Sequence, residues 1–489
     1  MNFADVMSRE GSVKSTENGA YAYNTAGQGA LLDFFSQAGA LRPRSENEIA
    51  NKFAAAYQEN ALLATKALFY TGDIRQGGLG ERRTFRICLK WMAENHPDVV
   101  IKNLDLIPYF NRFDSWFELV GTSCERKMWE RAAEVLTEDL KAYKTGATTP
   151  VSLLAKWMPS ENTSSWDTRR MAKQAMSIMR LRPREYRKML SKLRKRINIV
   201  EAAMSAGRWS EIDYSKVPSY AMHNYGSAFA KHDYERFNAY LQSVKKGEVK
   251  INAATLFPYD LVHKYGCSYN RENPVVEAQW KALPNYLTSP VNAVVMADVS
   301  YSMHGQPMET SVGLAIYFAQ HNQGAYHNKY MTFTSHPSFI NIKEGASLAE
   351  NINQVKSTDV GYSTNLNAAF DAILDSAVAY HVPKNEMPKA LIVISDMEID
   401  KYMRPGSRWD FIQTQKAKFN RHGYELPKMV MWNVSAREDT YLSQNEDVIF
   451  LSGQSAATFR HLCQNLNGVT AYQMMLKVLN GKAYAEVKV

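Results

Sequence analysis

The sequence predicts a two-part fold, in which a helical amino-terminal half is followed by a doubly wound α/β domain. Between about Ser45 and Val276, apolar residues recur at helical spacing in long segments that short breaks separate. From Asn285 onward the pattern changes, and apolar runs typical of buried strands alternate with helical segments. Alternation of this kind indicates a parallel sheet with helices on both faces.

The same patterns divide the chain into an arm (1–30), a helical domain (31–284) and an α/β domain (285–489). Paired helices joined by short turns predict stacked hairpins, which is a HEAT-like repeat domain, although no repeat of fixed period is present. In the α/β domain, the strand candidates are 291–297, 329–334, 389–395, 428–434 and 447–451.

Composition predicts a cytoplasmic protein. No apolar run approaches the roughly 20 residues that span a bilayer. The amino terminus also lacks the charged-then-apolar pattern of a secretion signal. The four cysteines are scattered without metal-binding spacing, as is expected of reduced thiols.

The strand candidate 291–297 is followed by Asp-x-Ser-x-Ser, formed by Asp298, Ser300 and Ser302. Its apolar run does not alternate with polar residues, which is typical of a strand buried on both faces. One carboxylate and two hydroxyls then follow its carboxyl end. These hard oxygen ligands suit Mg²⁺ or Mn²⁺ and are too few to enclose the ion. Open coordination positions therefore remain for water or for an acidic group of a partner.

Two further positions complete a candidate metal site. Thr364 opens a helical pattern, and Asp396 ends the second buried-strand pattern. In open α/β sheets, ligands bind at the carboxyl ends of strands, so Asp298 and Asp396 are expected to lie close together. The alternative is that these residues only cap helices and turns, as Ser and Asp often do. Five oxygen ligands in this order favour the metal site.

Positive charge is concentrated in the segment 169–196. It contains twelve Lys or Arg residues and a single acid, Glu185, whereas the whole chain carries a net charge of +9. This segment therefore supplies all of the positive excess, which is expected of a surface that binds a polyanion such as RNA. The alternative is a pair of solvated helices. The candidate phosphate contacts are Arg180, Arg182, Arg184, Arg187, Lys188 and Lys192, followed by Arg169, Arg170, Lys173, Arg194, Lys195 and Arg196.

No catalytic constellation is evident in the sequence. The glycine-rich segment 72–83 follows a helix and lacks the G-K-[ST] ending of a phosphate-binding loop. Glu398 and Asp400 would offer a second ion site for phosphoryl chemistry, but they are expected to be surface residues of a loop. No Ser-His-Asp or Cys-His set is apparent, so we expect a protein without enzymatic activity.

The carboxy-terminal half resembles a von Willebrand factor A domain through D-V-S-Y-S at 298–302, T-N at 364–365 and S-D at 395–396. A basic helical half followed by such a domain resembles the TROVE family of Ro-like RNA-binding proteins. A related family of plants, bacteria and phages is more similar still, over nearly the whole chain. That likeness rests on the strings T-E-N-G-A at 16–20, R-Q-G-G-L-G-E-R at 75–82, A-K-W-M-P-S at 155–160, V-E-A-A-M-S-A at 200–206, V-P-S-Y-A-M at 217–222 and I-S-D-M-E-I-D at 394–400.

The resemblance implies a ring or crescent of helical repeats whose ends the A domain joins through its metal-dependent adhesion site. It also implies a ribonucleoprotein in which a basic surface binds small structured or misfolded RNA. In the metal motif, Tyr301 replaces a residue that is commonly small. The residues that match the motif are Asp298, Ser300, Ser302, Thr364 and Asp396.

We therefore expect a non-catalytic RNA-binding protein with a divalent-metal site. One alternative is a metal-dependent protein-interaction or assembly module that binds no RNA and receives an acidic residue of a partner at the metal. A third hypothesis, ranked below both, is a metal-dependent nuclease acting through Asp396, Glu398 and Asp400.

Overall fold

A computed structural model of the chain describes residues 12–146, 149–265, 272–287, 290–334, 336–357, 364–400, 411–465 and 469–489. These residues form two compact units, one of 12–84 with 253–485 and the other of 85–252 with 486–489. The predicted mixed α/β fold is confirmed, with a helical amino-terminal region and a six-stranded sheet in the carboxy-terminal half. The two units do not follow the boundaries at 30 and 284, which were drawn from secondary-structure pattern alone.

An antiparallel hairpin opens the described chain. Its strands are β1 (Val13–Ser15) and β2 (Tyr21–Tyr23). Gly19 in the connecting turn has φ 82°, a left-handed conformation that favours glycine. Ala20 and Ala22 are fully buried. This part of segment 1–30 therefore packs within the first unit, and we call residues 12–24 the N-terminal hairpin.

The described α-helices follow in chain order. They are α1 (Ala30–Gln37), α2 (Glu46–Glu59), α3 (Ala61–Gly72), α4 (Arg82–Asn95), α5 (Pro97–Lys102), α6 (Leu106–Phe110), α7 (Glu125–Thr145), α8 (Leu154–Trp157), α9 (Trp166–Met179), α10 (Pro183–Ile197), α11 (Val200–Ser205), α12 (Ser219–His232), α13 (Tyr234–Lys245), α14 (Pro258–Tyr265), α15 (Pro274–Lys281), α16 (Gln306–His321), α17 (Leu348–Ser357), α18 (Leu366–Ala379), α19 (Phe411–Arg421), α20 (Thr458–Asn465) and α21 (Ala471–Leu479).

The first unit is built on a six-stranded sheet. Its strands are β3 (Ala293–Ala297), β4 (Lys329–Thr332), β5 (Phe339–Asn341), β6 (Ala390–Ser395), β7 (Lys428–Asn433) and β8 (Ile449–Ser452). The spatial order is β5-β4-β3-β6-β7-β8, and every neighbouring pair is parallel except β4 with β5. The five predicted strands are all present, whereas the short antiparallel edge strand β5 was not predicted.

Both faces of the sheet are covered, as the unbroken apolar runs indicate. On β6, Ala390, Ile392 and Ile394 belong to one apolar cluster with α16. Leu391 and Val393 point to the opposite face and are also fully buried. The sheet is therefore the centre of the first unit.

The glycine-rich loop of the first unit closes on a carboxylate of its own. Asp73 accepts backbone N–H hydrogen bonds from Arg75, Gln76 and Gly78 over 2.7–3.1 Å. The Tyr484 hydroxyl donates to the same carboxylate over 2.9 Å. A Cβ at Gly78 would lie 2.4 Å from a backbone carbonyl oxygen, so the turn requires glycine. These backbone N–H groups donate to Asp73, whereas in a phosphate-binding loop such groups would donate to phosphate.

Candidate metal centre and basic surface

The predicted metal ligands Asp298 and Asp396 follow two adjacent parallel strands. β3 and β6 are paired in register, with Ala297 opposite Ile394. The pairing continues one residue further, because the Asp298 N–H donates to the Ile394 carbonyl oxygen over 3.1 Å. From β3 the chain proceeds to β4 on one side of the sheet and returns to β6 on the other. Both carboxylates thus lie at the topological switch point, where α/β sheets bind ligands.

Asp298 is a fully buried carboxylate held by neutral donors. One oxygen accepts from the Ser300 backbone N–H over 2.9 Å, and the other accepts from the Ser395 hydroxyl over 2.6 Å. Within the described residues, Asp298 has no ion pair with a Lys, Arg or His side chain. Burial first, and the negative charge of Asp396 second, raise the pKa of Asp298 to about 6. Among the described residues, the fold therefore places a carboxylate here without a cation bonded to it.

Three hydroxyls were predicted to join these carboxylates, and the structure brings two of them together. The hydroxyl oxygens of Ser300 and Ser302 lie 3.1 Å apart. The Thr364 hydroxyl instead contacts the segment after β6, where it donates to the Glu398 carbonyl oxygen over 3.3 Å. The Tyr301 side chain is 82% exposed, so its ring does not cover the site. Residues 361–363 of the predicted G-Y-S-T-N motif lie outside the described residues.

Asp396 has a cation that the sequence analysis missed. The Arg437 guanidinium donates to Asp396 Oδ2 over 2.7 Å and also lies 3.6 Å from a carboxylate oxygen of Glu17. Arg437 follows β7, the strand next to β6. Its proximity to Asp396 therefore arises from the sheet order, and no local motif marked it.

The expectation that Glu398 lies at the surface is wrong, since its side chain is only 2% exposed. Its carboxylate accepts hydrogen bonds from the Glu17 backbone N–H and the Thr440 hydroxyl, over 2.6 and 3.3 Å. Burial, and to a lesser degree the charge of Asp396, raise the pKa of Glu398. Asp400 is half-buried and accepts the Thr364 N–H over 2.6 Å. Both carboxylates thus hold backbone segments in place.

The chemistry of these groups fits a divalent cation held from one side. Asp298, Ser300, Ser302 and Asp396 offer hard oxygens at one edge of the sheet, which is the donor type that Mg²⁺ and Mn²⁺ prefer. In the part of the chain that is described, no three His, Cys, Asp or Glu side chains converge as a metal-binding group. An ion bound here would therefore depend on two carboxylates, on hydroxyls, and on ligands from water or a partner.

The basic segment forms α9 and α10 of the second unit, and its cations differ in how they are used. Arg170, Arg182 and Arg187 pair with neighbouring acids. Arg169, Arg194 and Arg196 donate to backbone carbonyl oxygens. Six others are exposed and make no ion pair with any described residue. They are Lys173, Arg180, Arg184, Lys188, Lys192 and Lys195.

Four of these unpaired cations form a stripe along α10. Arg184, Lys188, Lys192 and Lys195 are spaced by four, four and three residues, which places them within an arc of about 80°. The opposite face of α10 carries its buried residues, which are Tyr186, Met189, Leu190 and Leu193. We call these four cations the α10 stripe. Its length from Arg184 to Lys195 is about 16 Å.

Arg194 has a structural environment distinct from that of the stripe. Its guanidinium donates to the carbonyl oxygens of Ala155 and Met158 over 2.9 and 2.7 Å, and to the Ser160 hydroxyl over 3.2 Å. Burial lowers the pKa of Arg194 below its ordinary value. The side chain therefore joins α10 to the A-K-W-M-P-S segment and leaves few donors for phosphate.

A cleft of about 920 Å³ opens beside α10 within the second unit. Four cations, Arg187, Arg194, Lys195 and Arg208, contribute to its lining, as do the acids Glu161, Glu201 and Glu211. Because its walls carry both signs of charge, we expect a polyanion to be attracted to the α10 stripe more than to the cleft.

Fold and site define a mixed α/β protein with one sheet unit, which carries two carboxylates at its switch point, and one helical unit, which carries a basic surface. Residues 292–478 match the model of a family described as a domain of unknown function, DUF7788. Residues 16–111 and 161–289 match that of another domain of unknown function, DUF2828.

An uncharacterized protein of Acanthamoeba polyphaga mimivirus is 30% identical to this chain over 504 residues, and the similarity covers 95% of this chain and 86% of the viral protein. The chain belongs to the same family as this viral protein. Among the described residues, no helix combines the length and the apolar character required to cross a membrane.

Proposed function

We propose that the chain is a non-catalytic RNA-binding protein whose α10 stripe contacts the phosphate backbone. The observation that carries this proposal is the stripe itself, four exposed cations on one helical face that make no ion pair with any described residue. A merely solvated helix of this length usually mixes acids and bases at i,i+4 spacing. A polyanion would neutralise the stripe and release its own counterions.

RNA is the polyanion that we favour, and the resemblance to TROVE proteins supports this choice. Recognition of folded RNA depends mainly on its shape and backbone, which a row of Lys and Arg side chains can contact without reading bases. Lys173 and Arg180, exposed on and just after α9, would extend the contact. HEAT-like stacking of the helices is part of the same proposal.

We propose that the sheet unit is of the von Willebrand factor A type and binds Mg²⁺ or Mn²⁺ at Asp298, Ser300, Ser302 and Asp396. The positions of these residues after two adjacent parallel strands, and the lack of a cation beside Asp298 among the described residues, support this proposal. Thr364 would join the ligands by leaving its present contact with Glu398. The bound ion would supply a Lewis-acidic position open to an acidic group.

A second candidate function is metal-dependent protein interaction without RNA. The position of the candidate ligands at one edge of the sheet favours this function. An ion bound there would keep coordination positions open for a carboxylate of a partner protein. The nuclease hypothesis receives less support. Glu398 and Asp400 accept hydrogen bonds from backbone N–H groups that hold neighbouring segments, so they are committed to structure.

Purification of the full chain at low salt, followed by sequencing of any RNA that accompanies it, tests the proposal. The affinity for a recovered or structured RNA is then measured by fluorescence anisotropy. We expect the quadruple variant Arg184→Gln, Lys188→Gln, Lys192→Gln and Lys195→Gln to lose RNA binding at physiological salt. Metal-dependent association with a protein that nuclease treatment leaves intact would instead favour the second candidate.

The matched control neutralises four exposed cations of the same unit outside α9 and α10. It carries Lys90→Gln, Arg126→Gln, Lys127→Gln and Lys141→Gln. We expect this control to retain most of the RNA affinity. Equal losses in both quadruple variants would contradict a localised RNA surface.

A further inference from the structure

The loop that follows β7 places a cation against the candidate metal centre. Arg437 lies in this loop, its side chain is 36% exposed, and its guanidinium bonds to the buried Asp396 carboxylate over 2.7 Å. The same Nη2 atom lies 3.6 Å from a carboxylate oxygen of Glu17, a residue of the N-terminal hairpin. One guanidinium is therefore shared unequally between a ligand of the proposed metal centre and a surface acid.

The position of Arg437 is set by residues distant in sequence. On one side of it, Ala436 donates its N–H to the Ala40 carbonyl oxygen over 2.9 Å. On the other side, Glu438 pairs with Lys14 over 2.8 Å.

The residues that follow in this loop are also attached to the amino-terminal segment. Asp439 pairs with Arg44 and with Lys52 over 2.8 and 2.6 Å. Two backbone hydrogen bonds join Tyr441 to Tyr23. The loop around Arg437 is thus fixed by the amino-terminal segment of the same unit.

The N-terminal hairpin also holds the segment that follows Asp396. The Thr16 hydroxyl donates to the Ile399 carbonyl oxygen over 2.6 Å, and the Asn18 amide donates to the Glu398 carbonyl oxygen over 2.8 Å. Glu17 lies between these two contacts, and its own side chain is 53% exposed. Both loops that flank Asp396 are therefore attached to one hairpin, and Glu17 is the acid of that hairpin nearest to Arg437.

We propose that Arg437 is an internal competitor for the metal centre, one that neutralises Asp396 in the absence of an ion and moves to Glu17 when an ion binds. A cation at Asp396 would repel a guanidinium bonded to the same carboxylate, because like charges a few ångströms apart repel in a partly desolvated site. The partial exposure of Arg437 leaves space for the side chain to move without unfolding the loop. This inference rests on the metal centre proposed above.

Calorimetric titration of the full-length protein with MnCl₂ tests whether Arg437 competes with the ion. If Arg437 occupies Asp396 about nine-tenths of the time, Arg437→Gln tightens the Kd for Mn²⁺ about tenfold, because the binding-competent fraction rises to nearly one. Arg437→Lys keeps the competing charge and should change the Kd much less. Arg421→Gln, which removes an exposed cation from α19 of the same unit, serves as the matched control and should leave the Kd unchanged.

Glu17→Gln provides a second, independent test, because its side chain is on the surface and its backbone contact to Glu398 is retained. We expect weaker Mn²⁺ binding, since the displaced guanidinium loses the acid that would receive it. If Arg437→Gln binds Mn²⁺ as the wild type does or more weakly, and Asp298→Ala still abolishes Mn²⁺ binding, then Arg437 is not a competitor. The proposed metal centre would remain supported by that result. If neither the wild type nor Arg437→Gln binds Mn²⁺, the proposed metal centre and the role of Arg437 as a competitor are both wrong.

Discussion

The Ser395 hydroxyl donates to Asp298 Oδ2 over 2.6 Å and joins the ends of β3 and β6 at the candidate metal centre. The Ser395 hydroxyl oxygen also accepts a hydrogen bond from the Met397 N–H over 3.0 Å. Met397 has φ 70°, a left-handed conformation that is costly for a residue with a side chain. Ser395 thus orients a buried carboxylate and supports a strained turn at once.

Ser395→Ala should therefore destabilise the sheet unit. The substitution leaves a buried carboxylate oxygen and a buried N–H without the partner that each has now. We expect the free energy of unfolding to fall by about 1–3 kcal/mol, measured by urea denaturation. Ser357→Ala, at an exposed position on α17, is the control and should change it by less than about 0.5 kcal/mol. Equal stability of the two variants would show that the Ser395 hydroxyl is not required.

Asp298→Ala and Asp396→Ala should separate the two proposed activities. In the wild type, Mn²⁺ is expected to raise the Tm, because an ion that binds only the folded state stabilises it. Either substitution should remove this rise. The RNA affinity should stay within about twofold, since the α10 stripe belongs to the other compact unit. A loss of RNA affinity as large as that of the quadruple stripe variant would contradict this separation.

The positions of Asp298 and Asp396 were predictable because they depend on local pattern. A continuous apolar run marks a buried strand, and the residue that follows it must lie at the carboxyl edge of the sheet. Arg437 and the N-terminal hairpin were not predictable in this way. Contacts such as that between Lys14 and Glu438 join residues more than four hundred positions apart, and no local periodicity encodes them.

Short elements were also missed for a physical reason. β5 has three residues with alternating exposure, too few to distinguish a strand from a loop by period.

The structural role of Arg194, in contrast, could have been predicted from the helical pattern of α10. On a helical wheel Arg194 lies near Leu190, on the border of the buried face of α10, and a cation at such a border tends to contact neighbouring backbone. Charge alone therefore overestimated its availability for phosphate.

Arg194→Met should destabilise the second unit rather than act on RNA alone. Three hydrogen bonds from the guanidinium would be lost, and the carbonyl oxygens of Ala155 and Met158 would lose a charged donor. We expect the free energy of unfolding to fall by about 2–4 kcal/mol in urea denaturation, a range set by hydrogen bonds to charged groups. Lys192→Met, which removes an exposed cation from the same helix, is the control and should leave stability nearly unchanged. Indistinguishable urea midpoints for the two variants would contradict a structural role for Arg194.

His461 should make the stability of the sheet unit depend on pH. Its Nε2 lies 3.0 Å from the Gly77 carbonyl oxygen, and burial lowers the pKa of His461 below its ordinary value. The unfolded chain therefore binds this proton more readily than the folded one. The contribution to stability is complete above the unfolded pKa and is lost as the pH falls through the lower, folded pKa.

Between about pH 5 and pH 7, the range in which histidine changes charge, the His461 contribution to the urea midpoint should therefore decrease toward the acid end. The raised pKa of Asp298 acts in the opposite direction, so the test is the difference between the wild type and His461→Gln. His461→Gln should make this decrease smaller, because the titrating group is gone. His422→Gln, at an exposed position, should leave the pH dependence as it is in the wild type. The prediction fails if both variants show the pH dependence of the wild type.

The salt dependence of RNA binding should report how many α10 stripe cations contact phosphate. Each contact contributes about 0.7 for single-stranded segments, and about 0.9 for a duplex, to the slope of log K against log salt concentration. Loss of all four stripe cations should therefore reduce the slope by about 3 to 4. Arg182→Gln should reduce it less than Lys188→Gln does, because Arg182 is paired with Glu185 over 2.8 Å and Lys188 is unpaired among the described residues.

Anisotropy titrations at several salt concentrations measure both slopes on the same RNA. The comparison of single variants is the more decisive one, since both side chains are exposed and lie on the same helix or its cap. A slope that changes equally for Arg182→Gln and Lys188→Gln would mean that the ion pair with Glu185 opens when RNA binds. A slope that changes for neither would mean that the polyanion does not lie along α10, and the proposed RNA surface would then be wrong.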